Sequence, residues 1–212
     1  MQSRCFGSRA FCASLLSAVL LAAACASTTD GEAQLGESGN NSSSPSVDRQ
    51  RVSEPLDISA YLSDPCGLVS VEKLGELGFS PGDGEAHLPE DDKFAAQTGP
   101  ACGWVGQGNG SISVIITSKN TERGVGGLEG LRALYEQGRY RLWEETFVAD
   151  YPAAYFGVSD ARSRGDCNIA VGIADDMAFS VTAISFRDNP AMACQVADEV
   201  AADVIQTLKG ER

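Results

Sequence analysis

The sequence predicts an α+β fold: an antiparallel β-sheet packed by a C-terminal helix and shorter helices, fastened by two disulfides. Three observations carry that expectation. The second half of the chain is a succession of short runs with strand composition. The chain closes on a long run of helical periodicity. Four cysteines, Cys66, Cys102, Cys167 and Cys194, are spread over both halves of the chain after the N-terminal segment. A helix with one apolar stripe must bury it, and the face of an antiparallel sheet is the surface at hand.

The chain opens on a segment with a different task. Arg4 and Arg9 precede an apolar run from Phe11 to Ala24, 14 residues long. A transmembrane helix needs about 20 such residues, whereas the apolar centre of an export signal runs to roughly 7–15. Small residues, Ala22-Ala23-Ala24, then lead into Cys25. The arrangement resembles a bacterial lipoprotein signal, with Ala22 where leucine is usual and Leu21 one place back. Residues 1–24 are therefore expected to be removed, and Cys25 is the expected site of lipidation. Two acyl chains on one cysteine suffice for stable anchoring. The expected location is the outer face of the cell membrane, with the lipid bilayer as the first partner. Cys5 and Cys12 fall in the discarded segment.

Residues 25–55 read as the lipidated cysteine and a flexible tether. The run Gly39-Asn40-Asn41-Ser42-Ser43-Ser44-Pro45 has few large apolar residues and cannot bury enough surface to offset its ordering entropy. Residues 56–212 read as one α+β domain, of ordinary size for a single core. Ser70 is placed to cap a short helix that Gly78 ends. Residues 80–100, rich in proline, glycine and acids, read as loop. Strands are expected over Cys102–Gly106 and Ile112–Ser118, joined by a turn at 108–110. Gly124-Val125-Gly126-Gly127 breaks the chain before a helix at Leu128–Gln137.

Further strands are expected at Trp143–Val148, Ala154–Val158, Asn168–Ile173 and Ala178–Phe186, with Asp175-Asp176 at a hairpin tip. Asn189 is the expected N-cap of the last helix and Pro190 its first residue. Met192, Val196, Val200, Val204 and Leu208 recur every four residues, with Ala197, Ala201 and Ile205 beside them. That is one apolar stripe.

Four cysteines allow three connectivities, and sequence alone does not choose among them. The expected pairs are Cys66–Cys102 and Cys167–Cys194, because each closes a shorter loop within its own half of the domain. An exported location is oxidising, which favours bridges. The spacings of 36, 65 and 27 residues contain no C-x₂-C pair, so a zinc site is not expected.

Loss of residues 1–24 takes two arginines from a chain of net charge −13, leaving −15. Such a chain repels phosphate backbones, so no nucleic acid is expected as a partner. It also offers no polybasic patch to a membrane surface.

The residues then suggest a family. Asp64-Pro65-Cys66-Gly67-Leu68-Val69, then Leu74 and Leu77-Gly78, then Cys102-Gly103-Trp104, Tyr151-Pro152-Ala153, Cys167 and a late Cys194 before a terminal helix follow one another in order. With the lipobox-like Cys25 and the serine-rich tether, this resembles the actinobacterial lipoprotein family catalogued as domain of unknown function 3558. The resemblance implies a cell-envelope lipoprotein and supplies no catalytic residues.

Candidate chemistry is sparse. The single histidine, His87, would have to serve any Ser-His-Asp site. The nearest approach to a nucleophile elbow, Gly157-Val158-Ser159-Asp160-Ala161, lacks its final glycine. Asp83, Glu85, Glu90, Asp91 and Asp92 match no calcium-loop spacing. Gly124, Gly126 and Gly127 lie where an anion site would be, but Glu129 stands where the dinucleotide fingerprint needs glycine. Glu144 and Glu145 alternate on a strand and face opposite ways. Trp104, Trp143, Tyr151 and Tyr155 are candidates for a ligand groove or for core. No enzyme activity, cofactor or metal is expected. The expected role is a non-catalytic binding or interaction module that meets an envelope protein. The alternative is a carrier of a small apolar ligand in a groove between sheet and helix.

Overall fold

The structure is a computed structural model and describes residues 51–106, 108 and 110–211. The signal segment, Cys25 and the tether up to residue 50 lie outside the described residues.

Seven strands form one antiparallel sheet. They are β1 (Glu85–His87), β2 (Ala101–Val105), β3 (Ser111–Ile116), β4 (Leu142–Val148), β5 (Tyr151–Gly157), β6 (Cys167–Gly172) and β7 (Ala178–Ile184). Their order is β1-β2-β3-β7-β6-β5-β4, so the last strand of the sequence occupies the centre. Among the described residues, five α-helices accompany it: α1 (Val71–Glu76), α2 (Ala95–Thr98), α3 (Ser118–Glu122), α4 (Gly127–Glu136) and α5 (Ala191–Lys209).

The period-2 alternation of the strands decides which helix covers which face. Ile112, Val114 and Ile116 on β3, Phe179, Val181 and Ala183 on β7, and Cys167, Ile169 and Val171 on β6 share one face and are buried. The stripe of α5 lies on them through Ala193, Val196, Ala197, Val200, Ala201, Val204 and Ile205. Fully burying a Val or Ile side chain contributes about 1.5–3 kcal/mol, so this layer is the main source of stability. The alanines of α5 let the helix axis approach the strands. On the other face, Leu128 and Leu131 of α4 sit on Ala154 of β5 and Ala170 of β6 and form a second, smaller core.

Both expected disulfides are present, Cys66–Cys102 and Cys167–Cys194. The first ties the short turn Pro65–Leu68 to β2, and the second ties β6 to α5. The Ser70 cap is also present: its Oγ accepts from the Lys73 amide at 3.1 Å. Gly78, at φ +80°, ends the turn after α1, with the Phe79 amide bonded to the Leu74 carbonyl at 2.8 Å.

Several expectations are corrected. The stretch 80–100 is not all loop, because Glu85–His87 pairs with β2 and Ala95–Thr98 is helical. Asp92 makes the second possible: its carboxylate accepts from the Phe94 and Ala95 amides at 2.7 and 2.8 Å, and those bonds hold its pKa below the usual carboxylate range. The β3 strand ends at Ile116, and α3 follows where strand was expected. Strand β5 begins at Tyr151, three residues early. Helix α5 starts at Ala191 with Pro190 at the cap and no side-chain cap bond, so Asn189 is not its N-cap. Met192 is 41% exposed, and Ala193 takes its place in the stripe. The last residues assigned to the tether are docked: Val52 packs on the core, and the Tyr151 hydroxyl donates to the Glu54 carbonyl at 2.9 Å.

Candidate functional site

The site grows out of the outward face of β7. Alternation puts Phe179, Val181 and Ala183 under α5, which leaves Ser180 and Thr182 on the opposite face. Register aligns neighbours with them. Ser180 lies opposite Ile115 on β3 and Ala170 on β6, and Thr182 lies opposite Ser113 and Asn168. The centre of the sheet therefore presents a polar strip on one face and solid core on the other.

No helix lies squarely over this strip. Helix α4 covers the β5–β6 side. Gly127 allows its tight start: φ is +71°, and an added Cβ would sit 2.3 Å from the Asp175 carbonyl oxygen. The α2–α3 pair stands on the β3 side, joined by the Arg123 guanidinium, which donates to the Gln97 carbonyl at 2.7 Å and to Asn120 Oδ1 at 2.8 Å. Between these walls runs a groove of about 880 Å³. That is near the upper end of the range for small-molecule sites, about 300–1,000 Å³.

Its floor is Ile115, Asn168, Ser180 and Thr182. Its helix wall is Leu131, Ala133 and Leu134, and Tyr140 and Phe156 close one end with rings edge to face at 5.2 Å. Burial raises the Tyr140 phenol pKa above its ordinary value. Phe94, Val125 and Val158 stand at the rim, 57%, 55% and 71% exposed. Arg123 and Arg139 are the charged groups among the 21 lining residues, and none of the 21 is acidic.

The residues singled out from sequence fall elsewhere. Trp104 is 2% exposed and Tyr151 4% exposed, and both belong to the core under α5. Trp143 stacks on Tyr135 at 6.1 Å beside α4, outside the groove. Tyr155 faces α5, where its hydroxyl donates to both Asp198 oxygens at 2.8 and 2.7 Å. Burial, and then the bond to Asp198, push that phenol pKa far up. Burial also raises the Asp198 carboxyl, against the opposing effect of the tyrosine bond. Arg162 lies 6.0 Å over the Tyr155 ring, held by Asp160 at 2.8 Å and Glu144 at 2.9 Å.

Glu145 pairs with Arg132 at 3.2 Å, so Glu144 and Glu145 do take separate partners. His87 on β1 meets Asp92 at 3.4 Å. Ser159 follows β5, five strand spacings away, about 24 Å at the usual separation. The sheet therefore keeps the histidine and that serine apart. Among the described residues no group of three His, Cys, Asp or Glu is placed to hold a metal ion. The glycine run is explained by packing, since Cβ atoms at Gly126 and Gly127 would strike the backbone of the Asp175-Asp176 turn.

The model of a family described as "Protein of unknown function (DUF3558)" matches residues 20–207. The chain belongs to the DUF3558 family. No curated protein and no solved structure matches it. The DUF3558 match takes in all seven strands, both disulfides and every residue lining the groove.

Sequence reading missed the groove residues of this DUF3558 chain. One signal was present. Phe179-Ser180-Val181-Thr182-Ala183 alternates large apolar with small hydroxyl side chains, the pattern of a strand whose second face is not core.

Proposed function

We propose that the chain is an exported lipoprotein, held at the outer face of the cell membrane by lipid on Cys25, whose folded domain binds a small apolar molecule without transforming it. The observation that carries the binding role is the groove of about 880 Å³ between the sheet and α4, with apolar walls and a few inward polar groups. That composition is typical of small-molecule sites. The separation of His87 from Ser159 across the sheet supports a non-catalytic reading. The docked segment from Val52 leaves residues 26–51 as the reach between Cys25 and the domain.

The anchor is tested by Cys25→Ala. The variant should move from the membrane fraction to the soluble fraction. Retention at the membrane with no change in mass from the wild-type protein would overturn the anchor.

The groove is tested on the Cys25→Ala chain, free of detergent, by calorimetric titration with dodecan-1-ol. Saturable binding is expected at about one molecule per chain. Thr182→Trp, which places an indole on the groove floor, should abolish it. Failure of every twelve-carbon probe, alcohol or anion, to bind, or unchanged binding by the tryptophan variant, would sink the reading.

A further inference from the structure

Resting on that reading, the groove's charge names the kind of molecule it takes: we infer that the ligand is an anionic amphiphile, its apolar chain against α4 and its carboxylate or phosphate head at the rim with Arg139 and Arg123. Two independent observations support this.

The first is charge segregation. The chain carries 29 acidic and 16 basic residues, yet the groove is lined by two arginines and no acid. The cations are prepared differently. Arg123 is braced by the Gln97 carbonyl and Asn120 Oδ1, which fixes its plane and leaves other N–H groups free. The Arg139 amide donates to the Leu134 carbonyl at 2.9 Å, whereas its guanidinium has no ion-pair or hydrogen-bond partner among the described residues, and it follows α4 at the end of the groove where Tyr140 lies. A guanidinium offers paired N–H donors to the oxygens of a carboxylate or phosphate. The acids elsewhere on the surface oppose an approaching anion. The acids nearest in sequence are themselves paired, Glu122 with Lys119 at 2.8 Å and Glu136 with Arg132 at 3.4 Å, and at about 0.1 M salt charges more than about 10 Å away are largely screened.

The second is the floor. Ser180 is 5% exposed, and its hydroxyl is bonded to no protein group among the described residues although it lines the groove. A groove that were merely a packing gap would have an apolar floor, as in dry cavities. Ser180 and Thr182 instead supply donors and acceptors to whatever enters. The exposed Phe94, Val125 and Val158 give the chain of an amphiphile an apolar path across the rim.

The test compares three probes of one chain length on the detergent-free Cys25→Ala protein at about 0.1 M salt: dodecanoate, dodecyl phosphate and dodecan-1-ol. At least one anionic probe should bind roughly tenfold tighter than the alcohol, the size expected of a charge-assisted contact at a partly exposed site. Whichever anion binds tighter identifies the head. Arg139→Gln should erase that advantage, costing the tighter anion far more affinity than dodecan-1-ol, and Arg123→Gln should reduce it. Both arginines are exposed, so Arg139→Gln leaves the fold intact, and the dodecan-1-ol affinity of Arg123→Gln reports any loosening of the α2–α3 wall that Arg123 braces. Equal affinity for alcohol and anions, or anion binding untouched in both variants, would overturn the inference while leaving the groove reading standing. Absence of binding by all three probes would overturn the groove reading itself.

Discussion

Replacing all four disulfide cysteines by serine is expected to abolish folding at 25 °C. The bridges span 36 and 27 residues, and on the chain-entropy model each stabilises the fold by about 3–4 kcal/mol. Their loops do not overlap in sequence, so the two constraints on the unfolded chain are independent and add. The combined loss of about 7 kcal/mol falls inside the whole stability of an ordinary domain, about 5–15 kcal/mol. Burial deepens the effect, because Cys102 and Cys167 are 0% and 1% exposed and a serine hydroxyl there enters apolar core. Each double variant, Cys66→Ser with Cys102→Ser or Cys167→Ser with Cys194→Ser, should fold with a lowered urea midpoint. The quadruple variant should show no cooperative transition and no near-ultraviolet circular dichroism. A quadruple variant that unfolds cooperatively within about 1 kcal/mol of the parent would show that the bridges add little to the packing of α5 on the sheet.

The bridges were legible because they depend on local arithmetic: an even cysteine count, a leader that reads as an export signal and two short loops. Helix α5 was legible for a similar reason, since its stripe is written in nineteen consecutive residues. The groove was not, because its lining is gathered from positions 94 to 182 on seven elements and the segments between them. Nothing local to Ser180 says that β7, last in sequence, becomes the central strand. The β4–β5 hairpin was hidden by its turn. Ala149 and Asp150 both adopt positive φ, 46° and 70°, where asparagine and glycine are the usual signal. Strand β1 was hidden by length: three residues in an acidic stretch carry no visible period, and only pairing with β2 makes them a strand.

The second large effect is expected at Asp203. This carboxylate is 6% exposed, on the flank of α5. It accepts from the Ser70 amide at 2.7 Å and from the Ser70 hydroxyl at 2.8 Å, while that same hydroxyl caps α1 through Lys73. One turn along, Thr207 donates to the Leu68 carbonyl at 2.9 Å. These bonds fix α5 against the segment that carries Cys66, so a helix end and a disulfide anchor depend on them together. Asp203→Ala removes an acceptor of two charge-assisted bonds, each worth about 1.5–3 kcal/mol, and leaves a part-buried amide unpaired. A loss of about 3 kcal/mol is expected from urea unfolding, with the slope unchanged. Asp203→Asn retains one acceptor oxygen and should lose less. Ser70→Ala should be strongly non-additive with Asp203→Ala, because both break the same contacts. Additive losses, or an alanine cost below about 1 kcal/mol, would show that the carboxylate is a passenger. Asp203 and the groove lie on opposite faces of the sheet, with β6 and β7 between them. The folded fraction of Asp203→Ala should therefore bind dodecanoate or dodecyl phosphate as the parent does, which separates the device that holds the fold from the surface that meets the ligand.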